Sequence, residues 1–295
     1  MRLLINGEEV SYALENEKTL GEVVRGVQEW LNASGFLVTD LATDTRNLLE
    51  SPAQEWSPQP VALTKELAVK AAHTGDMRIE HWSTVHAWLG MLADELAAPG
   101  AAPRAPGDLD VLGELVAGLP ETLESFKANP FLPPGSDLPA RFAALLAGVP
   151  ADAIRQWPAE KTAQAAAMIG ELRARVESRL AAAHQPREAA AKCVATLRGL
   201  LGGLSEVSVM LQTGRDRQAM DIVIGFTDAA QALIDLLPFL PPDAERGRLV
   251  SELTPVLRDL TKAFDTRDGI LIGDLLEYEI APRMQRITPL IEKGL

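Results

Sequence analysis

The chain has 295 residues, 47% of them hydrophobic, and a formal net charge of −13 at pH 7. That length is enough for two ordinary domains, and the hydrophobic share is that of a folded rather than a disordered protein. The acidity and the lack of any lysine/arginine run argue against nucleic acid or an anionic membrane as partner, since both are bound largely through Lys and Arg.

A single cysteine, Cys193, excludes an intrachain disulfide and a cysteine-based metal cluster. It also suits a reducing cytoplasm, the expected location. The opening apolar run, residues 3–5, ends at the turn Asn6-Gly7 and is too short for a signal peptide's apolar region. The longest apolar window, residues 222–240, is interrupted by Asp228 and Asp235, so no transmembrane helix is expected.

In chain order, residues 2–6 and 9–15 are β-compatible runs around Asn6-Gly7, which predicts a hairpin. Leu20, Val23, Val24, Val27, Trp30 and Leu31 fall at helical spacing and predict a helix over 19–32, with Trp30 in the core. Residues 32–35 close it. Strands are expected at 36–39 and 66–72, with a turn and a short strand over 44–49 between them.

From residue 77 onward there is no strand signal. Ile79, Trp82, Val85, Trp88, Leu89, Leu92, Ala93 and Leu96 cover about half the circumference of one helix at ~100° per residue. Residues 97–107, rich in Ala, Pro and Gly, read as a linker, and 109–126 as a helix restarted at Pro120. Residues 129–139 hold four prolines and read as irregular, with at most short helices at 138–146 and 151–157 before 158. Further helices are expected at 160–183, 188–212, 217–237, 244–264 (with Pro255 inside) and 268–287. The stripe of Ala165, Ile169, Leu172, Val176 and Leu180 is narrow, as in a coiled-coil seam, and can be satisfied in cis or by a second copy, so a homo-oligomer stays open.

The N-terminal order of hairpin, helix, strand, turn and strand, with Arg2-Leu3-Leu4-Ile5-Asn6-Gly7-Glu8 and the helix start Thr19-Leu20-Gly21-Glu22-Val23-Val24, resembles a β-grasp domain. It is most similar to the small sulfur carriers of the ubiquitin-like group, over residues 1–75. Those families act through a C-terminal Gly-Gly whose carboxylate is activated. Here the chain runs on through His73-Thr74-Gly75-Asp76 and ends Glu292-Lys293-Gly294-Leu295, which removes the reactive group and leaves a docking role. The fold class expected is α+β: a β-grasp-like domain over 1–76, then a mainly α-helical bundle domain over 77–295.

Chemical candidates are few. His81 and His86 lie five apart, ~140° around a helix, where a zinc pair needs i,i+4, and no Glu-x-x-His occurs. His73 and His184, at a strand end and a helix end, read as exposed. Ser205 and Ser208 have no Gly-x-Ser-x-Gly context. Cys193 reads as a small buried residue, and Gly202-Gly203 as a close helix contact rather than a phosphate loop. No catalytic, cofactor-binding or metal-ligating residue is assigned. Trp82 and Trp88 read as core. Trp56, Trp157 and the pair Phe131-Leu132, each beside prolines or in irregular stretches, are either partner-binding anchors or pins for their own loops.

The stretch 268–287 is apolar round most of its circumference, as in a helix deep in a bundle, yet carries three acids and a tyrosine. At ~100° per residue Asp274 and Glu277 face the polar side while Glu279 turns inward, four residues before Arg283. The expectation is a partly buried structural ion pair, Glu279 with Arg283, in a register complicated by Pro282. The function expected is a non-enzymatic cytoplasmic adaptor, scaffold or chaperone-like protein that binds another protein. The alternative is an enzyme with an acid–base site assembled between helices from Glu279, Tyr278 and His81.

Overall fold

Asn6 and Gly7 take positive φ, 51° and 85°, as a two-residue hairpin turn requires, and fold β1 (Arg2–Ile5) onto β2 (Glu8–Val10). The Asn6 side chain continues the ladder past the end of β1, donating to the Ala71 carbonyl at 3.0 Å and accepting from the Ala71 N–H at 2.9 Å. The computed structural model describes residues 1–11, 17–97, 113–114, 117–118, 138–266 and 268–295. These form two units, Met1–Arg78 with Pro241–Ala244, and Ile79–Leu240 with Glu245–Leu295.

In the first unit, α1 (Leu20–Ala33) starts at a capping box: Thr19 Oγ1 accepts from Glu22 N–H, and the Glu22 carboxylate accepts from Thr19 N–H at 3.0 Å and Lys18 N–H at 2.7 Å. The helix is followed by β3 (Phe36–Thr43) and β4 (Glu66–His73). The sheet order is β2-β1-β4-β3, with β1 and β4 parallel and the outer pairs antiparallel. Leu3, Leu41, Leu67 and Val69 meet Leu20, Val24 and Val27 in the core.

Three expectations change in this unit. β3 is twice the expected length and carries a register shift between Val38 and Asp40. The strand expected over 44–49 shrinks to one bridge, Ala42 with Asn47. That segment is spent on a turn, in which Thr43 Oγ1 accepts from the N–H groups of Thr45 and Arg46. Trp30, expected in the core, is 52% exposed. It lies about 80° from the centre of the stripe formed by Leu20, Val27 and Leu31, at the margin of what the sheet covers.

The second unit is helical, so the chain is α+β: a small N-terminal sheet followed by α2 (Thr74–Ala97), α3 (Leu138–Leu146), α4 (Ala159–His184), α5 (Pro186–Leu204), α6 (Val207–Gln212), α7 (Asp216–Leu236), α8 (Ala244–Asp265), α9 (Gly269–Asp274) and α10 (Ala281–Gly294). One core joins α2, α3 and α4 through Val85, Leu89, Phe142, Ile169 and Leu172. The stripe of α4 is packed into it. A second core joins α5 to α10, with Leu197, Phe226, Leu253 and Ile287 at its centre.

The short helices allowed at 138–146 and 151–157 are present as α3 and a 3-10 turn at Ala151–Gln156; Pro139 sits in the first turn of α3, where a missing N–H costs nothing. Two helix expectations are corrected. The helix expected over 188–212 is two, because Gly202-Gly203 weakens its end and Ser205 Oγ bonds back to the Gly202 carbonyl at 3.1 Å. The C-terminal helix is interrupted by a π turn at Leu275–Ile280. The linker over 97–107 and the helix over 109–126 lie almost wholly outside the described residues.

Candidate functional site

Pro282 sets the local structure of the C-terminal segment. Having no N–H, it cannot donate to the helix ladder, and the chain widens ahead of it so that Ala281 N–H donates to the Leu276 carbonyl, five residues back. Arg283 adds a side-chain tie beside the break. Its Nη1 donates to the Glu279 carbonyl at 2.7 Å and to Glu279 Oε2 at 2.5 Å, clasping backbone and carboxylate together. The side chains of Arg283 and Glu279 are 26% and 46% exposed, and Arg283 Nε is buried without a partner.

One side of this segment is buried through Ile272, Leu276, Ile280 and Met284. Burial does not extend around the circumference as the composition suggested: Ile270 is 67% and Tyr278 65% exposed. The π turn also breaks the 100° count, which is why Glu279 stands half out of the core. Asp268 caps α9 by accepting from Leu271 N–H at 3.0 Å.

The remaining candidates stand in other elements. Trp56, read as either a partner anchor or a pin for its own loop, is only 8% exposed, in the core of the first unit with its Nε1 unpaired. Trp157 is half-buried against the α2–α4 core, with Lys161 Nζ 3.9 Å over its ring. Phe131 and Leu132 lie outside the described residues.

His81, the third member of the alternative acid–base set, is on α2, whose buried residues belong to a different core from Leu276 and Ile280, which flank Glu279 in the chain. Burial, and then the nearby Arg179 guanidinium, push its pKa down. Arg179 also lies 5.9 Å over Trp82 and 3.7 Å from Asp235, a cluster that sequence spacing could not reveal because its members come from three helices. His86 Nε2 meets Glu177 Oε1 at 2.8 Å. His73 packs edge-on to Phe36 at 5.3 Å rather than standing free. Burial raises the pKa of the half-buried Cys193 thiol.

Among the described residues no group of three or more His, Cys, Asp or Glu is placed to hold a metal ion. One helical stretch, Asp216–Phe239, is long and apolar enough to cross a membrane by length and composition. Its Val223, Phe226 and Leu233 are buried in the second core.

One close contact went unread. A Cβ on Gly273 would lie 2.4 Å from Ser208 Cβ, and one on Gly269 would lie 3.7 Å from Leu211 Cβ, so α9 rests on α6 along its two glycines. Their i,i+4 spacing on one helix face is the signal that would have found it.

Two family models match parts of the chain. The TP0873 N-terminal domain matches residues 1–73, the sheet and α1. A domain of unknown function, DUF8042, matches residues 188–289, from α5 into α10. No curated protein and no solved structure gives a match.

Proposed function

We propose that the protein is a non-enzymatic cytoplasmic adaptor that binds another protein through its N-terminal domain, a β-grasp-like docking module. The mixed sheet with a parallel central pair and α1 packed on one face supports the β-grasp reading. The observation that carries the docking role is the opposite face. There Glu9, Leu4, Ala68 and Ala42 stand side by side across four strands. This low apolar strip is bounded by two ion pairs, Arg2 with Glu66 and Lys70 with Asp40. The Lys70 ammonium holds the Asp40 carboxyl below its ordinary pKa. Leu37, beside Ala72, is 44% exposed. Small apolar residues between fixed charges favour a specific protein partner, with apolar contact for affinity and charge for register.

The test is photo-crosslinking in native cytoplasm from a reactive group at position 37, compared with one at position 63, where Leu63 is 77% exposed in a 3-10 turn. A discrete protein captured from position 37 alone, and lost with Ala68→Arg, supports the reading. The same background set from both positions would overturn it.

A further inference from the structure

We infer that the outer side of the α6–α9 contact is a docking surface for a basic amphipathic helix of a partner protein. It lies on the second unit, and it stands or falls separately from the sheet face.

The two helices touch at Ser208 with Gly273 and at Leu211 with Gly269. On the inner side of that contact Val207, Met210, Ile272 and Leu276 are buried. The outer side carries Val209, 53% exposed, and Ile270, 67%, with Leu271, 43%, further round α9, opposite its glycines, and Tyr278, 65%, in the π turn beyond. Ile270 and Asp274 stand at i and i+4 on one stripe of α9, and Tyr278 follows in the π turn. Among the described residues of the second unit, the only other large hydrophobic this exposed is Met91. Exposed apolar side chains gathered at one corner, rather than scattered, mark a place where another molecule is received.

Charge selects the occupant. Asp274 and Glu277 are exposed and, among the described residues, form no ion pair; Glu206 and Asp268 are exposed beside them. The whole chain is acidic, at −13. A second copy would bring like carboxylates together, which costs rather than gains. A helix with a Leu/Ile stripe and flanking Lys or Arg meets both the apolar and the acidic parts. The six residues of α9 rise ~9 Å and the π turn adds about one turn more, room for roughly two to three turns of such a helix.

The test uses the full chain and a fluorescein-labelled helix of ~14 leucines and lysines, read by anisotropy. A counterpart with Glu for Lys, and one with Gln for Leu, are the controls. We expect the Leu/Lys helix alone to bind, more weakly at about 0.5 M than at about 0.1 M salt. Affinity should fall roughly tenfold or more in the double variant Val209→Ser, Ile270→Ser, several-fold in Asp274→Asn, Glu277→Gln, and not at all in Leu37→Ser. Equal binding by wild type and the double serine variant would reduce the surface to non-specific attraction of charge and overturn the inference. So would a dimer in sedimentation that the serine variant dissociates. Circular dichroism of each variant separates lost binding from lost folding. Loss of crosslinking at position 37 with this binding intact would strike the sheet-face reading alone.

Discussion

The start of α1 and the π turn of the C-terminal helix both have backbone groups to satisfy, and they do so by different means. At α1 each first-turn N–H has a partner: Leu20 donates to the Gln59 carbonyl at 2.8 Å, Gly21 to Ser57 at 2.9 Å, and Glu22 and Val23 to the hydroxyl and carbonyl of Thr19, both at 3.3 Å. The load is shared among loop backbone and short polar side chains. At the π turn, Pro282 removes a donor in mid-helix, the ladder widens, and one long side chain, Arg283, ties the Glu279 carbonyl and carboxylate together. A distributed solution spreads the effect of mutation over many groups; a clasp concentrates it in one residue. In their helix contacts the two are alike, since both α1 and α9 have a glycine pressed against a serine.

The largest effect expected comes from forcing those contacts apart. A Cβ at Gly21 would meet Ser57 Oγ at 1.8 Å, Ser57 Cβ at 2.8 Å and the Ser57 carbonyl at 3.0 Å, so rotating the hydroxyl away does not make room. Gly21→Ala should therefore cost ~2–3 kcal/mol, the upper part of the overpacking range, read as a lower denaturant midpoint of the first unit. At Gly273 the obstruction is Ser208 Cβ and Oγ, with Ser208 Cα at 3.4 Å. Gly273→Ala should likewise cost ~2–3 kcal/mol, and should be partly relieved by Ser208→Gly despite the lower helix propensity of glycine. Negligible costs without rescue would show that the helices shift freely, and would remove the parallel between the two glycines.

How far the sequence could be read divides along the same line. Asn6-Gly7, the Thr19 helix start and the alternation of residues 66–72 are local signals, and the elements they predict formed where expected. The pairing of Glu279 with Arg283 was legible because i,i+4 spacing is local too. The π turn was not: Pro282 announced a break, but its form depends on keeping Ile272, Leu276 and Ile280 in one core while the ladder loses a donor. Trp30 was misplaced for a related reason, since periodicity gives an angle and the extent of the covering surface decides burial. The Arg179–Trp82–Asp235 cluster has no sequence signature at all.

Removing the clasp is the next test in size. Arg283→Met leaves the Glu279 carbonyl and carboxylate without their shared donor. Because both side chains are partly exposed, at 26% and 46%, water takes up part of the load, and the loss should be ~1–2 kcal/mol rather than the larger cost of a buried pair. Amide exchange should quicken over residues 276–284 and stay unchanged in α1. Arg283→Lys keeps the charge but not the two-acceptor geometry, and should recover only part of the protection. Unchanged exchange in Arg283→Met would mean that the widened ladder holds without the clasp.

The smallest effect belongs to the cap of α1. The N–H groups of Lys18 and Thr19 bond the Glu22 carboxylate and lower its pKa from 4.5. A carboxylate with a lowered folded pKa contributes fully above its unfolded value, and that contribution fades as pH falls through the lower folded value. Protection of the Lys18 and Thr19 amides should therefore decline in acid below about 4.5 in the wild type. Glu22→Gln keeps an acceptor of the capping-box type without a titrating group, so its protection should be weaker at neutral pH and level through the acid range. Glu22 is fully exposed, and the change should stay local to the first turn of α1. If the wild type and Glu22→Gln decline in parallel, some other carboxylate sets the acid response of the first unit, and the shared-load account of the α1 start loses its main polar contributor.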